Sequence, residues 1–247
     1  MVVTRPVSFA PVALADVAAA LGVTDHECIA LVGGGGKTTL LHAIGSQLPG
    51  RVVLTTTTKM GADQHRGRPL LVSPTDVEIA AITPGAAPLV VARIEGHKAV
   101  GVSPDDCDRW FALVDHVVIE ADGSRHRPFK APRPFEPVVP STCTLLVSLI
   151  GADALGRVIA DQCHRPLRVA ALAGCSPYVR LSPAAAARVL LHQRGARAAA
   201  PPPARLAVVI TKVDDRNVDA VEELVDELER AEPGIDVIAV ATTNPVG

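Results

Sequence analysis

The sequence predicts an α/β fold, a doubly wound and mostly parallel sheet with helices on both faces. Three observations predict it. Apolar strand-like runs alternate with helix-like runs along the chain. Several runs, such as 115–121 (Asp-His-Val-Val-Ile-Glu-Ala) and 143–150 (Cys-Thr-Leu-Leu-Val-Ser-Leu-Ile), are almost continuously apolar, as strands are when both sheet faces are covered. A short apolar strand at 28–33 also runs through four glycines straight into a helical pattern.

The elements follow in order. Residues 13–21 predict an amphipathic helix. The apolar segment from Pro6 to Ala15 lacks a basic lead-in and is interrupted by Asp16, so it does not read as a signal peptide. Residues 28–33 form the first strand and 38–48 its helix, ended by Pro49-Gly50. Residues 51–57 are β-branched and strand-like. Residues 88–94 and 97–102 predict an inserted hairpin around Glu95-Gly96. A helix at 105–113 precedes the strands at 115–121 and 143–150. A helix at 183–193 leads to a Pro/Ala-rich loop at 196–204 containing Pro201-Pro202-Pro203. A strand at 205–211, a charged helix at 217–231 and a strand at 235–241 close the pattern. The strand after the proline stretch is expected to return to the same sheet, which makes 1–247 a single domain.

Composition narrows the function classes. The chain has 247 residues, 48% hydrophobic and 20% charged, enough to bury a sizeable core. A net charge of -2 and only 2% aromatic residues argue against a nucleic-acid surface or stacking platform. No run is long and charge-free enough for a membrane span. Cys28, Cys107, Cys143, Cys163 and Cys175 are widely spaced, as in reduced thiols of a cytoplasmic protein.

The chemistry begins at Gly33, Gly34, Gly35, Gly36, Lys37, Thr38 and Thr39. Glycine backbone can curl its N–H groups around phosphate oxygens, Lys37 adds a positive charge, Thr38 offers a hydroxyl to Mg²⁺, and the helix start favours an anion. The fold is therefore expected to be P-loop NTPase-like. Leu31 stands where the long pattern G-x-x-x-x-G-K-[ST] has its first glycine. What fits is the shorter G-x-x-G-K-T, as in amide ligases of the Mur type.

Other motifs sit at predicted strand ends, where ligands of such sheets bind. The strand 115–121 ends in Glu120-Ala121-Asp122-Gly123-Ser124. Glu120 and Asp122 are candidates to hold Mg²⁺ and to orient water or a substrate group. The spacing Glu120-x-x-Gly123 resembles the switch of metallochaperone-type GTPases. Thr211-Lys212-Val213-Asp214 resembles the [NT]-K-x-D element of GTPases, in which the aspartate accepts hydrogen bonds from guanine. The alternative is a strand end followed by a charged helix, with Asp214 or Asp215 as its cap. Thr55 to Thr58 are either hydroxyls near a terminal phosphate or plain strand formers, and Lys59 is a candidate for stabilising charge in transfer. The loop from Ser124 to Glu136 concentrates Arg125, Arg127, Lys130 and Arg133, candidates for a second small anionic ligand.

Together these segments resemble the YqeC family, accessory proteins of selenium-dependent molybdenum hydroxylases. The resemblance rests on the glycine loop, on Thr55 to Met60, and on Glu120 to Ser124. It continues through Lys130-Ala131-Pro132, Glu136 to Pro140, Gly151 to Gly156 with Asp153, His164-Arg165-Pro166 and the Thr-Lys-Val-Asp element. The chain departs from the family pattern at Thr211, where asparagine is usual, and around Leu191 to Gly195. The resemblance implies a P-loop protein that helps a molybdenum hydroxylase, or its cofactor machinery, to mature. The residues themselves lead to a Mg²⁺-dependent nucleoside triphosphatase, with GTP favoured over ATP. Two alternatives stand beside it: an ATP-dependent ligase or kinase acting on a small anionic substrate, and a non-catalytic chaperone switched by nucleotide.

Overall fold

The structure is a computed structural model and describes residues 10–242; the first part of the apolar Pro6–Ala15 segment lies outside them. A short turn leads into α1 (Val17–Ala20), β1 (Glu27–Gly33) and α2 (Lys37–Gln47). Next come β2 (Val52–Thr56), β3 (Lys59–Gly61), β4 (Leu70–Val72), α3 (Asp76–Ala80) and β5 (Leu89–Val91). They are followed by β6 (Arg93–Glu95), β7 (Lys98–Val100), α4 (Pro104–Phe111), β8 (His116–Glu120), β9 (Phe129–Lys130) and β10 (Leu145–Gly151). The last third holds α5 (Ile159–Gln162), β11 (Cys163–His164), α6 (Pro166–Ala173), α7 (Pro183–Leu190), β12 (Arg205–Val213), α8 (Val218–Ala231) and β13 (Asp236–Ala241).

Among the described residues, eight strands form one sheet in the order β13-β12-β10-β1-β8-β2-β5-β4. Every pairing within it is parallel. Alternate residues of each strand face opposite sides. Ile29 and Leu31 of β1 and Val147 and Leu149 of β10 pack with Val17 of α1 and Leu40, Leu41 and Ile44 of α2. Cys28, Ala30 and Val32 face the other way, onto Ile79 of α3 and Cys107 and Trp110 of α4. Further along that side, Val208 and Ile210 of β12 meet Val169, Ala186 and Leu224 from α6, α7 and α8. Helices thus cover both faces, and each fully buried Val, Leu or Ile adds about 1.5–3 kcal/mol. No helix among the described residues is long and apolar enough to cross a membrane.

The expected hairpin at 88–102 is smaller. Leu89, Val90 and Val91 are completely buried and form β5, a parallel strand between β2 and β4. Only β6 and β7 make the hairpin, and β3 joins it as a three-stranded antiparallel sheet. The three residues of β5 form an unbroken apolar run, the mark of a strand covered on both faces; the next residues, Arg93 to Lys98, are all exposed. The short helix α3 was not anticipated, although Thr75 and Glu78 form a capping box at its start. Nor was α6, which has Pro166 in its first turn and a left-handed Gly174 just past its end.

His116 opens β8 at the end of the sheet away from the glycine loop. It is wholly buried, and neither ring nitrogen has a hydrogen-bond partner among the described residues. Burial holds its pKa below the usual histidine value. A group whose folded pKa is depressed resists protonation, so stability is lost as pH falls below the unfolded value of about 6.5. We expect His116→Leu to raise Tm at pH 5, by about 2–4 °C per kcal/mol gained, and to do less at pH 8. A Tm that falls at pH 5 would contradict the burial argument.

Candidate functional site

The site lies where β1, β8 and β10 end together. Adjacent strands there lead the chain away in opposite directions, which opens a crevice at their carboxyl ends. The glycine loop turns out of β1 with Gly35 at φ +88° and Gly36 at φ +106°, conformations that residues with a Cβ rarely adopt. Gly34 is needed for a different reason, since a Cβ there would stand 2.6 Å from the carbonyl oxygen of Arg127. The loop is thus pressed against the start of the basic segment. The first N–H groups of α2 have no side-chain cap, which leaves them for an anion.

Lys37 is buried at 3% exposure. Its ammonium donates to the Gly33 carbonyl (2.6 Å) and pairs with Asp122 (3.2 Å), with Glu120 at 4.0 Å. The hydroxyl of Thr38 donates to Glu120 Oε2 at 2.8 Å. A hydroxyl and a carboxylate therefore stand side by side at the foot of the loop, both oxygen donors of the kind Mg²⁺ takes. Burial pushes the Glu120 carboxyl above its ordinary range, while Lys37 and the Thr38 hydroxyl pull it part of the way back. Asp122 is placed differently. It is 1% exposed, accepts from the Gly33 N–H at 3.0 Å, and is pinned between Lys37 and the Lys130 ammonium at 3.0 Å.

A cleft of about 1070 Å³ opens above the loop. Gly35, Gly36, Lys37, Thr38, Thr39 and Glu120 line its floor. One wall carries Ser124, Arg125, His126, Arg127 and Lys212, the other Lys59, Asp63, Gln64, Arg66, His97 and Lys98. Seven lysines and arginines thus face two carboxylates, Asp63 and Glu120, in a chain of net charge -2. Thr39 accepts from the Arg66 guanidinium at 3.1 Å. Lys59 pairs with Glu95 and Lys212 with Asp153, each at 2.7 Å. Thr211 is buried and its hydroxyl donates to the Gly35 carbonyl, tying β12 to the loop.

Some expected residues lie elsewhere. Lys130 is withdrawn from the surface: its ammonium is fully buried against Asp122, the Gly123 carbonyl and Glu136. Arg133 is exposed but does not line the cleft. Asp214 does not line it either, because its carboxylate accepts from the backbone N–H (2.9 Å) and guanidinium (3.0 Å) of Arg216. The hydroxyls of Thr55, Thr56 and Thr57 donate to the carbonyls of Val90, Glu120 and Val138, so they brace neighbouring strands and loops. The Thr58 hydroxyl lies 3.3 Å from the Thr56 hydroxyl. Arg66, His97 and Lys98 were missed by the sequence reading. Nothing local marks them, since they meet at the cleft only through the pairing of β3 with β7.

Comparison with known proteins identifies the family of the chain. A family model described as YqeC protein matches residues 29–167. The "Uncharacterized protein YqeC" of Escherichia coli (strain K12) is 30% identical over 217 residues, 82% of each chain. The chain belongs to the YqeC family. The part that matches the YqeC model holds the glycine loop, Glu120, Asp122 and the basic segment, and it reaches Arg165, whereas Lys212 and Asp214 fall beyond it.

In this YqeC chain the charge network continues past Lys130 through the half-buried Glu136 and Arg165. Glu136 accepts from Lys130 at 3.3 Å and takes both arms of Arg165, at 2.5 and 2.6 Å. Burial alone would raise the Glu136 carboxyl, but Arg165 and Lys130 hold it down at about 2. His164, desolvated and close to Arg165 and Lys130, is held at about 4. Both depressions make acid destabilising. The penalty on His164 begins as pH falls below about 6.5, and the contribution of Glu136 is lost between about 4.5 and 2. Glu136→Gln is expected to cost about 3 kcal/mol in denaturant unfolding at pH 7, with the gap to wild type closing near pH 2. A gap independent of pH would remove the ion-pair explanation.

Proposed function

We propose that the cleft binds a nucleoside triphosphate with Mg²⁺ and that the chain is a nucleoside triphosphatase. One observation carries this reading: the Thr38 hydroxyl stands 2.8 Å from Glu120 at the foot of a glycine loop whose lysine is buried beside them. Mg²⁺ is usually held by one or two carboxylates together with phosphate oxygens. Thr38 and Glu120 suit that part. No group of three or more His, Cys, Asp or Glu among the described residues could hold a metal alone, so phosphate oxygens would complete the shell. Bound Mg²⁺ supplies charge neutralisation at the phosphates.

The chain's own residues do the rest. Loop N–H groups and Lys37 bind the phosphate oxygens. Asp122 is a positioning residue that holds Lys37 and the Gly33 N–H in place. Glu120 accepts from the Thr38 hydroxyl and orients a water. Lys59, set on the far wall by Glu95, faces charge that develops in transfer. Thr211 and Lys212 border the place for the base. GTP is favoured over ATP on the Thr211-Lys212-Val213-Asp214 element, with Asp214 exchanging Arg216 for guanine. The cations of the cleft favour a second reading, a ligase or kinase that acts on a small anionic substrate. The biological role that the family resemblance implies is the maturation of a selenium-dependent molybdenum hydroxylase in the cytoplasm.

Binding calorimetry with GTP and ATP tests the site. Lys37→Ala should weaken nucleotide binding by about tenfold or more, the loss of a charge-assisted contact. Thr38→Ala should retain binding in chelator and lose the gain on adding Mg²⁺. Near-wild-type affinity in Lys37→Ala would sink the assignment. Base choice is a separate measurement. Asp214→Asn should weaken GTP about tenfold and leave ATP unchanged, and an equal effect on both would assign Asp214 to its loop alone.

A further inference from the structure

We propose that the wall formed by Arg66, His97 and Lys98 is a seat for a phosphate or carboxylate group of a second small ligand, beside the terminal phosphate of the nucleotide. This rests on the nucleotide reading above and adds to it the chemical class and location of the second ligand.

The order of strands gives the cleft a direction. On the β12 side, Thr211 grips the loop through the Gly35 carbonyl and Lys212 lines the wall. On the β8 side, Thr38 and Glu120 form the pair suited to the metal. Mg²⁺ sits at the outer phosphates of a nucleotide. The phosphate chain must therefore end toward β8 and β2, with its base toward β12. What lies beyond that end is the small sheet of β3, β7 and β6 together with the turn at 62–68.

That region is built as one piece. Gly61 pairs with Lys98, and the Ala62 N–H donates to the His97 carbonyl at 3.0 Å. The turn then reverses through Arg66 at φ +51° and Gly67 at φ +77°. An arginine in the left-handed region costs about 1 kcal/mol or more and is kept only where the surroundings demand it. Its guanidinium rests on a neutral partner, the Thr39 hydroxyl. Among the described residues neither Arg66 nor Lys98 has a carboxylate within ion-pair distance, while Lys59 beside them is already paired with Glu95. Two cations that lack counter-ions among the described residues, one of them a planar fork, line the wall past the place for the terminal phosphate. Guanidinium forks bind phosphate and carboxylate through two parallel hydrogen bonds. At about 1070 Å³ the cleft matches the upper end of small-molecule sites, which leaves room beside a nucleotide.

The test uses the full chain saturated with Mg²⁺ and a non-hydrolysable triphosphate analogue, titrated with inorganic phosphate by calorimetry. A single equivalent of phosphate is expected to bind. Arg66→Ala and Lys98→Ala should each weaken it by about tenfold, and Arg66→Lys should weaken it less. Both positions are exposed, so the variants should melt like wild type. Arg230→Ala, on the exposed side of α8 and outside the cleft lining, should leave phosphate binding unchanged. Affinity for the analogue itself should stay within about twofold throughout. The seat is overturned if loaded protein takes up no phosphate or if only Arg125→Ala, on the opposite wall, abolishes uptake. It is also overturned if both wall variants lose analogue and phosphate in equal measure, which would make them nucleotide contacts. A wild-type chain that fails to bind the analogue overturns the nucleotide reading first and the seat with it.

Discussion

The arrangement of the site depends on one buried carboxylate. Asp122 stands at the end of β8 with almost no exposure and holds the Gly33 N–H, Lys37 and Lys130 at once. A carboxylate taken out of water is tolerable only when its partners are complete; removing one partner of a buried pair typically costs about 3–5 kcal/mol. The three partners come from β1, α2 and β9. Asp122 therefore couples the glycine loop to the basic segment, and the loop's lysine is in place before any ligand arrives. Through Lys130 the same charge reaches Glu136 and Arg165, so the sequence of alternating signs runs from the glycine loop to the start of α6.

This network explains the division of labour among the basic residues of segment 124–136. Lys130 is turned inward to neutralise Asp122 and Glu136, where the low dielectric strengthens the attraction that offsets the cost of burying the charges. Arg125 and Arg127 are left on the cleft wall. Arg127 donates to the Asp161 carbonyl, which anchors the wall to α5. Gly151 donates to the Pro128 carbonyl at 2.8 Å, so the segment is also stitched to the end of β10. A loop that looks free in the chain is a fixed part of the site.

Much of this was legible in sequence because it is local. The strand, glycine turn and helix at 28–48 are contiguous, and their φ demands and N–H groups do not depend on anything distant. The apolar runs of β8, β10 and β12 were equally plain. The boundary between β5 and the hairpin was not, because the apolar residues at 89–92 satisfy both a buried parallel strand and a hairpin arm. Only the presence of β2 and β4 on either side settles it. Lys130 illustrates the same limit. Arg125, Arg127 and Arg133 share its segment, so it reads as one more surface cation, whereas in space it meets two carboxylates.

The sequence by itself determined the fold class, the phosphate-type loop and the acidic strand end, since each is a property of a few consecutive residues. Tertiary structure decided which charges face the cleft and which are spent inside. It buried Lys130 against Asp122 and brought Arg66 and Lys98, more than thirty positions apart in the chain, to one wall. The reason is electrostatic. A charged side chain's role is set by the partners and solvent around it, and in a parallel sheet those partners arrive from strands remote in sequence.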